Sequence, residues 1–199
     1  LSIAGTIEAN EQVDIRSEVS GLVTDILFNE GSTVSKGKVL LKINDLELQA
    51  QLSQALTKQK LAQETEYRAG KLLEKEAISK EEYDVALSEL RSLQSQTQLI
   101  RAQLAKTLIR APFSGKIGLR TISAGEYITP SSNIARLVST NPVKILFSIP
   151  EKYAGTIKLD TKISFTVAGS KNTYTGTVYA IEPGIDMSTR TLQLKARAS

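Results

Sequence analysis

The chain has 199 residues, 41% of them hydrophobic and 23% charged, with a net charge of +4 from 25 basic and 21 acidic side chains. That balance excludes a disordered chain, which would show low hydrophobicity and high net charge. With no His, no Cys, no Trp and a single Met, imidazole or thiolate metal sites, disulfides and the usual nucleophile-base pairs cannot be built from it, so most enzyme classes fall away.

The order of the elements begins with β-branched runs. Residues 13–16, 22–28 and 39–43 read as strands, separated by Asn29-Glu30-Gly31 and a second polar turn. Between Lys38 and Ala111 there is one Gly, Gly70, and no Pro, so the middle of the chain is predicted helical and both flanks β. In a first helix Leu48, Ala55, Ala62 and Ala69 share a heptad position. Leu52 and Leu73 hold the other, which Gln59 and Glu66 interrupt. In a second, Tyr83, Leu90 and Leu104 alternate with Ala86, Leu93 and Ile100. Ala77-Ile78-Ser79 marks the break, and Ser79-Lys80-Glu81-Glu82 is a capping box. The rest of both helices is Gln-rich and charged. This predicts a projecting antiparallel hairpin with a thin seam, about 45 Å long for about 30 residues per helix at 1.5 Å each. Further strands follow at 107–110, 116–122, 134–138, 143–149, 162–167, 174–181 and 191–196. Short, closely spaced strands favour small barrels or sandwiches over a parallel βαβ sheet.

An internal repeat organises the flanks. Residues 15–23 align with residues 109–117, placing Ile15 on Ile109, Arg16 on Arg110 and Gly21 on Gly115. The same register carries Gly31 onto Gly125, Val34 onto Ile128, Leu40 onto Ile134 and Ile43 onto Leu137. Two copies of one β motif flanking a helical insertion predict a module whose halves pack about a pseudo-two-fold axis. Gly31 and Gly125 are expected where turns need positive φ.

These residues carry a family resemblance. The stretch from Val19-Ser20-Gly21 through Asn29-Glu30-Gly31 to Lys36-Gly37 resembles the first half of a biotinyl/lipoyl-type domain. The stretch from Ile109-Arg110-Ala111-Pro112 to Gly115 resembles the start of its second half. A split lipoyl domain with an inserted helical hairpin is the plan of the periplasmic adaptor, or membrane fusion, proteins of the HlyD family. Pro142 to Glu151 and Ile181 to Thr191 are similar to the β-barrel domain of adaptors serving resistance-nodulation-division (RND) pumps.

The resemblance implies a mostly β fold with an inserted antiparallel α-helical hairpin. Its parts would be a split lipoyl-like barrel-sandwich hybrid (10–44 and 107–141), the hairpin (45–106) and a partial β-barrel (1–9 and 142–199). A final barrel strand and a membrane-proximal domain are expected outside this sequence. So is any N-terminal lipid or helix anchoring a periplasmic protein to the inner membrane, since the chain begins Leu1-Ser2-Ile3. The implied role has no chemistry of its own: bridging an inner-membrane RND-type transporter to a TolC-like outer-membrane channel. In the pump the adaptors would form a hexameric ring, while the isolated fragment would associate weakly. The alternatives are an adaptor for an ABC-type or type I secretion exporter, and a lipoyl/biotinyl carrier domain.

The residues matching the family's channel-docking pattern are Arg68, Leu72 and Ser79, spaced by four and seven at the hairpin turn. Their plain readings are a solvated Arg, a seam Leu and a helix cap. A carrier role would need a modifiable Lys at a tight turn, but near Asn44-Asp45 that turn gives way to the hairpin. Asp45 reads as an N-cap and Lys42 as a solvated strand residue, so no covalent cofactor is expected. No metal is expected either, with Met187 the one soft donor. Pairs such as Glu81/Glu82 and Asp25/Glu30 lie in polar segments, and no catalysis is assigned to them. Basic residues are interleaved with acids and aromatics make up 5%, which leaves no footprint for nucleic acid.

Overall fold

The computed structural model describes residues 2–169 and 172–198. In chain order its strands are β1 (Gly5–Glu8), β2 (Glu11–Arg16), β3 (Gly21–Ile26), β4 (Thr33–Val34) and β5 (Val39–Ile43). Helices α1 (Leu46–Leu73) and α2 (Lys80–Lys106) follow. The chain continues through β6 (Leu108–Arg110), β7 (Gly115–Arg120), β8 (Tyr127–Ile128), β9 (Asn133–Ser139) and β10 (Val143–Pro150). After a short 3-10 turn come β11 (Lys162–Thr166), β12 (Thr173–Asp186) and β13 (Thr191–Ala198).

The predicted pseudo-two-fold is present in the backbone hydrogen bonds. Gly31 N donates to Ile117 O at 2.9 Å, and the repeat partner, Gly125 N, donates to Val23 O at 2.9 Å. Val23 N to Glu126 O (2.8 Å) is matched by Ile117 N to Ser32 O (2.9 Å). Leu27 N to Leu40 O (2.8 Å) is matched by Thr121 N to Ile134 O (3.0 Å). Two four-stranded sheets result, ordered β2-β9-β7-β4 and β6-β5-β3-β8, each drawing strands from both halves. The aliphatic repeat pairs Val23/Ile117, Val34/Ile128, Leu40/Ile134 and Ile43/Leu137 are all at most 1% exposed and fill the space between the sheets. Each such side chain is worth about 1.5–3 kcal/mol buried, so the repeated positions are the folding core. Gly31 (φ +71) and Gly125 (φ +85) occupy the left-handed region.

The remaining strands form a five-stranded antiparallel sheet ordered β1-β10-β13-β12-β11, with its own core around Ile145, Ile149, Val178, Leu194 and Ala196. β1 and β11 each pair on one side, and residues of both edges, among them Ile7, Ile163 and Phe165, line a groove of about 740 Å³ together with Phe147 of β10. The strand predicted over residues 174–181 is shorter than the one observed. β12 instead runs on to Asp186, with the ladder interrupted between Ile181 and Ile185. Proline has no N–H to give, and the irregularity leaves its position out of the ladder.

The two helices pack antiparallel as predicted. Ala55 and Ala62 of α1 and Leu90, Thr97 and Ile100 of α2 are buried in the seam, while Leu48, Leu52, Gln59, Glu66, Ala69 and Leu73 are half-buried. Thr97, absent from the predicted seam, holds its hydroxyl on Leu93 O at 2.9 Å, which lets a polar residue stand among aliphatics. Asp45 corrects one expectation. Its backbone carbonyl starts α1, accepting from Gln49 N at 2.9 Å, but its side chain caps nothing. Asn44 Oδ1 accepts from Leu46 N at 3.1 Å instead, and Asp45 turns to Lys42 Nζ at 3.5 Å. Lys42 thus sits in a strand paired on both sides, with Asp25 and Leu108, rather than on a tight turn.

Candidate docking site at the hairpin tip

The tip is built by two terminal motifs back to back. α1 ends through a Schellman motif: Ala77 N donates to Leu72 O and Glu76 N to Leu73 O, both at 2.9 Å, with Glu76 at φ 55. Glycine is usual at such a position, and its absence is why the sequence places the break three residues late. α2 starts with the predicted capping box. Ser79 Oγ accepts from Glu82 N at 3.2 Å, and Glu82 Oε2 accepts from Ser79 N at 2.8 Å. Immediately below, Tyr83 Oη donates to Glu66 Oε1 at 2.7 Å, tying the helices together across the seam. Gly70 faces the Tyr83 ring, where a Cβ would stand 3.5 Å from Cε2, so the glycine is not demanded by crowding.

Against this frame the three predicted residues divide. Arg68 and Leu72, one helical turn apart, lie on a face of α1 turned away from the seam. Leu72 is 44% exposed, because the seam position beside it is taken by Leu73. That removes the plain reading of Leu72 as seam packing. Arg68 is exposed, and among the described residues its side chain makes one hydrogen bond, a long 3.5 Å contact from Nη2 to Thr65 Oγ1. Ser79 stands across the turn at the head of α2, exposed and already used as the cap. Tyr67, 64% exposed with Lys71 Nζ 5.9 Å from its ring centroid, and the ion pair of Lys71 with Glu74 at 3.0 Å complete the tip. The Tyr83–Glu66 bond escaped the sequence reading, although two polar residues at facing seam positions are its signature.

Hydrogen bonds from the Ser79 amide and hydroxyl hold the Glu82 carboxyl below the usual glutamate range. A depressed carboxyl pKa contributes stability that is full above the unfolded value and lost as pH falls through the folded one. The α2 start is therefore expected to loosen below about pH 4.3, the ordinary glutamate value. Hydrogen exchange at residues 80–83, corrected for intrinsic rates, is expected to lose protection through that window in the native chain. The step should be absent in Glu82→Gln, whose side chain does not titrate.

Among the described residues no group of His, Cys, Asp or Glu is arranged to hold a metal, and no helix is long and apolar enough to cross a membrane. A two-sheet module with its halves swapped about a pseudo-two-fold, split by an α-hairpin and followed by an antiparallel β domain, is the architecture of the membrane fusion proteins.

The chain belongs to the RND membrane fusion protein family: the family model described as "RND MFP, barrel-sandwich hybrid domain" matches residues 11–140. A second model, "CusB-like, beta-barrel domain", matches residues 142–199. The family is one of adaptor proteins, not enzymes. Among curated relatives, the multidrug resistance protein MdtA of Photorhabdus laumondii is 31% identical over 98% of this chain and 54% of its own length. MdtA of Pectobacterium carotovorum is 30% identical over 99% of this chain and 53% of its own. The chain thus spans about half the length of the curated relatives it matches. Among solved structures, a MacA-MexA chimera carrying the Pseudomonas aeruginosa MexA α-hairpin superposes with TM-score 0.79 at 22% identity, covering 98% of this chain and 73% of the chimera. MacA from Actinobacillus actinomycetemcomitans gives 0.65 at 20% identity, covering 100% and 72%. These likenesses establish the fold.

Proposed function

We propose that this chain is the adaptor part of a tripartite efflux pump, standing in the periplasm between an inner-membrane RND transporter and a TolC-like outer-membrane channel. The hairpin tip, through Arg68, Leu72 and Ser79, is the channel-docking surface. The observation that carries this reading is the exposure of Arg68 and Leu72 on one face beside a turn fixed by two backbone-satisfied caps. Such a tip meets a partner without rearranging, since its polar backbone groups are already paired. Relatives named for multidrug resistance support export as the process served. The match of the barrel-sandwich model to an RND family supports that transporter class over an ABC-type partner.

A thin seam holding Gln59, Glu66 and Thr97 gives the hairpin little stiffness of its own, so neighbouring copies side by side in a hexameric ring would supply it. A photo-crosslinking residue in place of Leu72, in the protein expressed in its own host, tests the docking. The expected product is a covalent adduct with an outer-membrane channel subunit. Adducts confined to inner-membrane or unrelated soluble proteins would overturn it.

A further inference from the structure

Toward its tip the hairpin runs out of core. Ala62 on α1 and Leu90 on α2 are the last buried residues of the seam, and no residue between them in the chain is buried. From Ala62 to Leu73 α1 therefore extends about 16 Å, at 1.5 Å per residue, on half-buried contacts alone, which do little to fix where two helix ends stand relative to each other. One polar bond bridges that stretch. Tyr83 Oη donates to Glu66 Oε1 at 2.7 Å, and among the described residues this is the one side-chain hydrogen bond between α1 and α2. Others in the hairpin, such as Thr97 to Leu93 and Lys71 to Glu74, stay within a helix or its end. Tyr83 and Glu66 are both half-buried, and Glu66 joins no salt bridge among the described residues, so the phenol is a charge-assisted donor to a carboxylate with no cation paired to it. The ring itself lies against Gly70, one turn beyond Glu66.

We propose that Tyr83 and Glu66 are the positioning residues of the docking surface, fixing Arg68 and Leu72 on α1 relative to Ser79 on α2. The inference rests on the docking reading above and adds what holds that surface in shape. The bond joins residues 17 apart and closes the chain between them into one lobe. All three docking residues lie inside it: Arg68 and Leu72 follow Glu66, and Ser79, whose carbonyl accepts from Tyr83 N at 3.3 Å, precedes Tyr83. Arg68 stands two residues past Glu66 and Leu72 two past Gly70, about 200° round α1, so the bond occupies the seam side and leaves the docking face free. The two caps at the turn set the local path of the backbone. The seam bond sets the distance between the helices. A partner that touches both helices binds better to ends already held together, because ordering them no longer opposes association.

Tyr83→Phe removes one oxygen and keeps the ring against Gly70, so the full-length protein should melt as the native one does. The chain has no cysteine, so spin labels on Lys71→Cys and Glu81→Cys, both exposed positions, report the tip alone. They are expected to show a narrow distance distribution in the native background and a broad one with Tyr83→Phe. In the host, a photo-crosslinking residue at position 72 should give about fivefold less channel adduct with Tyr83→Phe. Glu66→Ala should match it, and the double variant should be no worse than either single one, since both remove the same bond. Glu66→Gln, whose amide oxygen accepts from the same phenol, should restore both readouts. An adduct yield or a distance distribution unchanged by Tyr83→Phe overturns the proposal and leaves the docking reading standing. So does a Glu66→Gln variant as defective as Glu66→Ala, because charge and not the bond would then position the tip. A drop in melting temperature of the whole protein would make the bond a support of the fold and overturn it as well. Absence of a channel adduct in the native background removes the docking reading and this proposal with it.

Discussion

Gly115→Ala is expected to cost about 3 kcal/mol or more, the upper range for overpacking a core that cannot relax. A Cβ at position 115 would lie 2.4 Å from Val138 O and 2.9 Å from Val138 C. Both are backbone atoms of β9, which is held between β7 on one side and β2 on the other. Neither neighbour can turn aside as a side chain would, so β7 must lift from β9 and disturb the ladder around Ile117 and Leu137, two of the best-buried residues. The repeat supplies an internal control. At Gly21, its pseudo-symmetric partner, the Cβ meets Ile43 Cγ2, also at 2.4 Å, the branch methyl of a buried side chain, which gives by repacking the core locally rather than by moving a strand. Gly21→Ala should therefore cost clearly less than Gly115→Ala, although sequence alone ranks them equal. Urea denaturation of both variants checks the ordering, and a Gly115→Ala loss under about 1 kcal/mol would contradict the close approach. A domain with stability in the usual range of about 5–15 kcal/mol would be left marginal by the larger loss.

That asymmetry marks where the sequence stops being informative. The swapped module was legible because each half repeats the same aliphatic and glycine positions, and the aliphatic ones are its core. β4 and β8 were not, since two-residue strands have no periodicity and exist only by pairing across the pseudo-two-fold. β1 stands outside the strand-like runs but inside the residues 1–9 expected in the barrel, and its four residues find their ladder on β10, through Gly5 opposite Phe147. At the tip, heptad spacing left Leu72 open between seam and surface; with residues 66, 69 and 73 in the seam, the structure turns it and Arg68 outward. What spacing could not give was the end of α1, where Glu76 takes a conformation the sequence would have assigned to glycine. Nor could it say whether Asn44 or Asp45 caps α1, since both residue types do so and only the strand before them decides which faces Leu46.

Arg68 is the tip residue whose change is expected to have the largest effect on export. Substituting Arg68→Asp is expected to abolish drug export, returning a complemented deletion strain to the susceptibility of the strain without the protein, while the fold is retained. Retention follows from what Arg68 touches. Among the described residues its side chain makes one hydrogen bond, the 3.5 Å contact with Thr65, and no salt bridge, and exposed pairs of the better kind are worth at most about 1 kcal/mol. The new carboxylate would lie one turn from Glu64, a like-charge spacing that costs about 0.5 kcal/mol at most. Neither effect is enough to melt a helix held by the Tyr83–Glu66 bond and the Schellman turn beside it. At a desolvated interface the same change replaces a donor fork with a charge of opposite sign, and truncating or reversing one side of a buried polar contact costs several-fold more than at the surface. Lys60→Asp, the same charge reversal two turns further down the exposed side of α1, should leave export unchanged, since it lies away from the tip. Arg68→Lys should export partially, keeping the charge and losing the planar fork. Thermal unfolding of each variant by circular dichroism guards against a folding defect. If Arg68→Asp protein of native stability restored export fully, the tip would have to meet the channel through other residues, with Leu72 and the exposed Tyr67 the next to change.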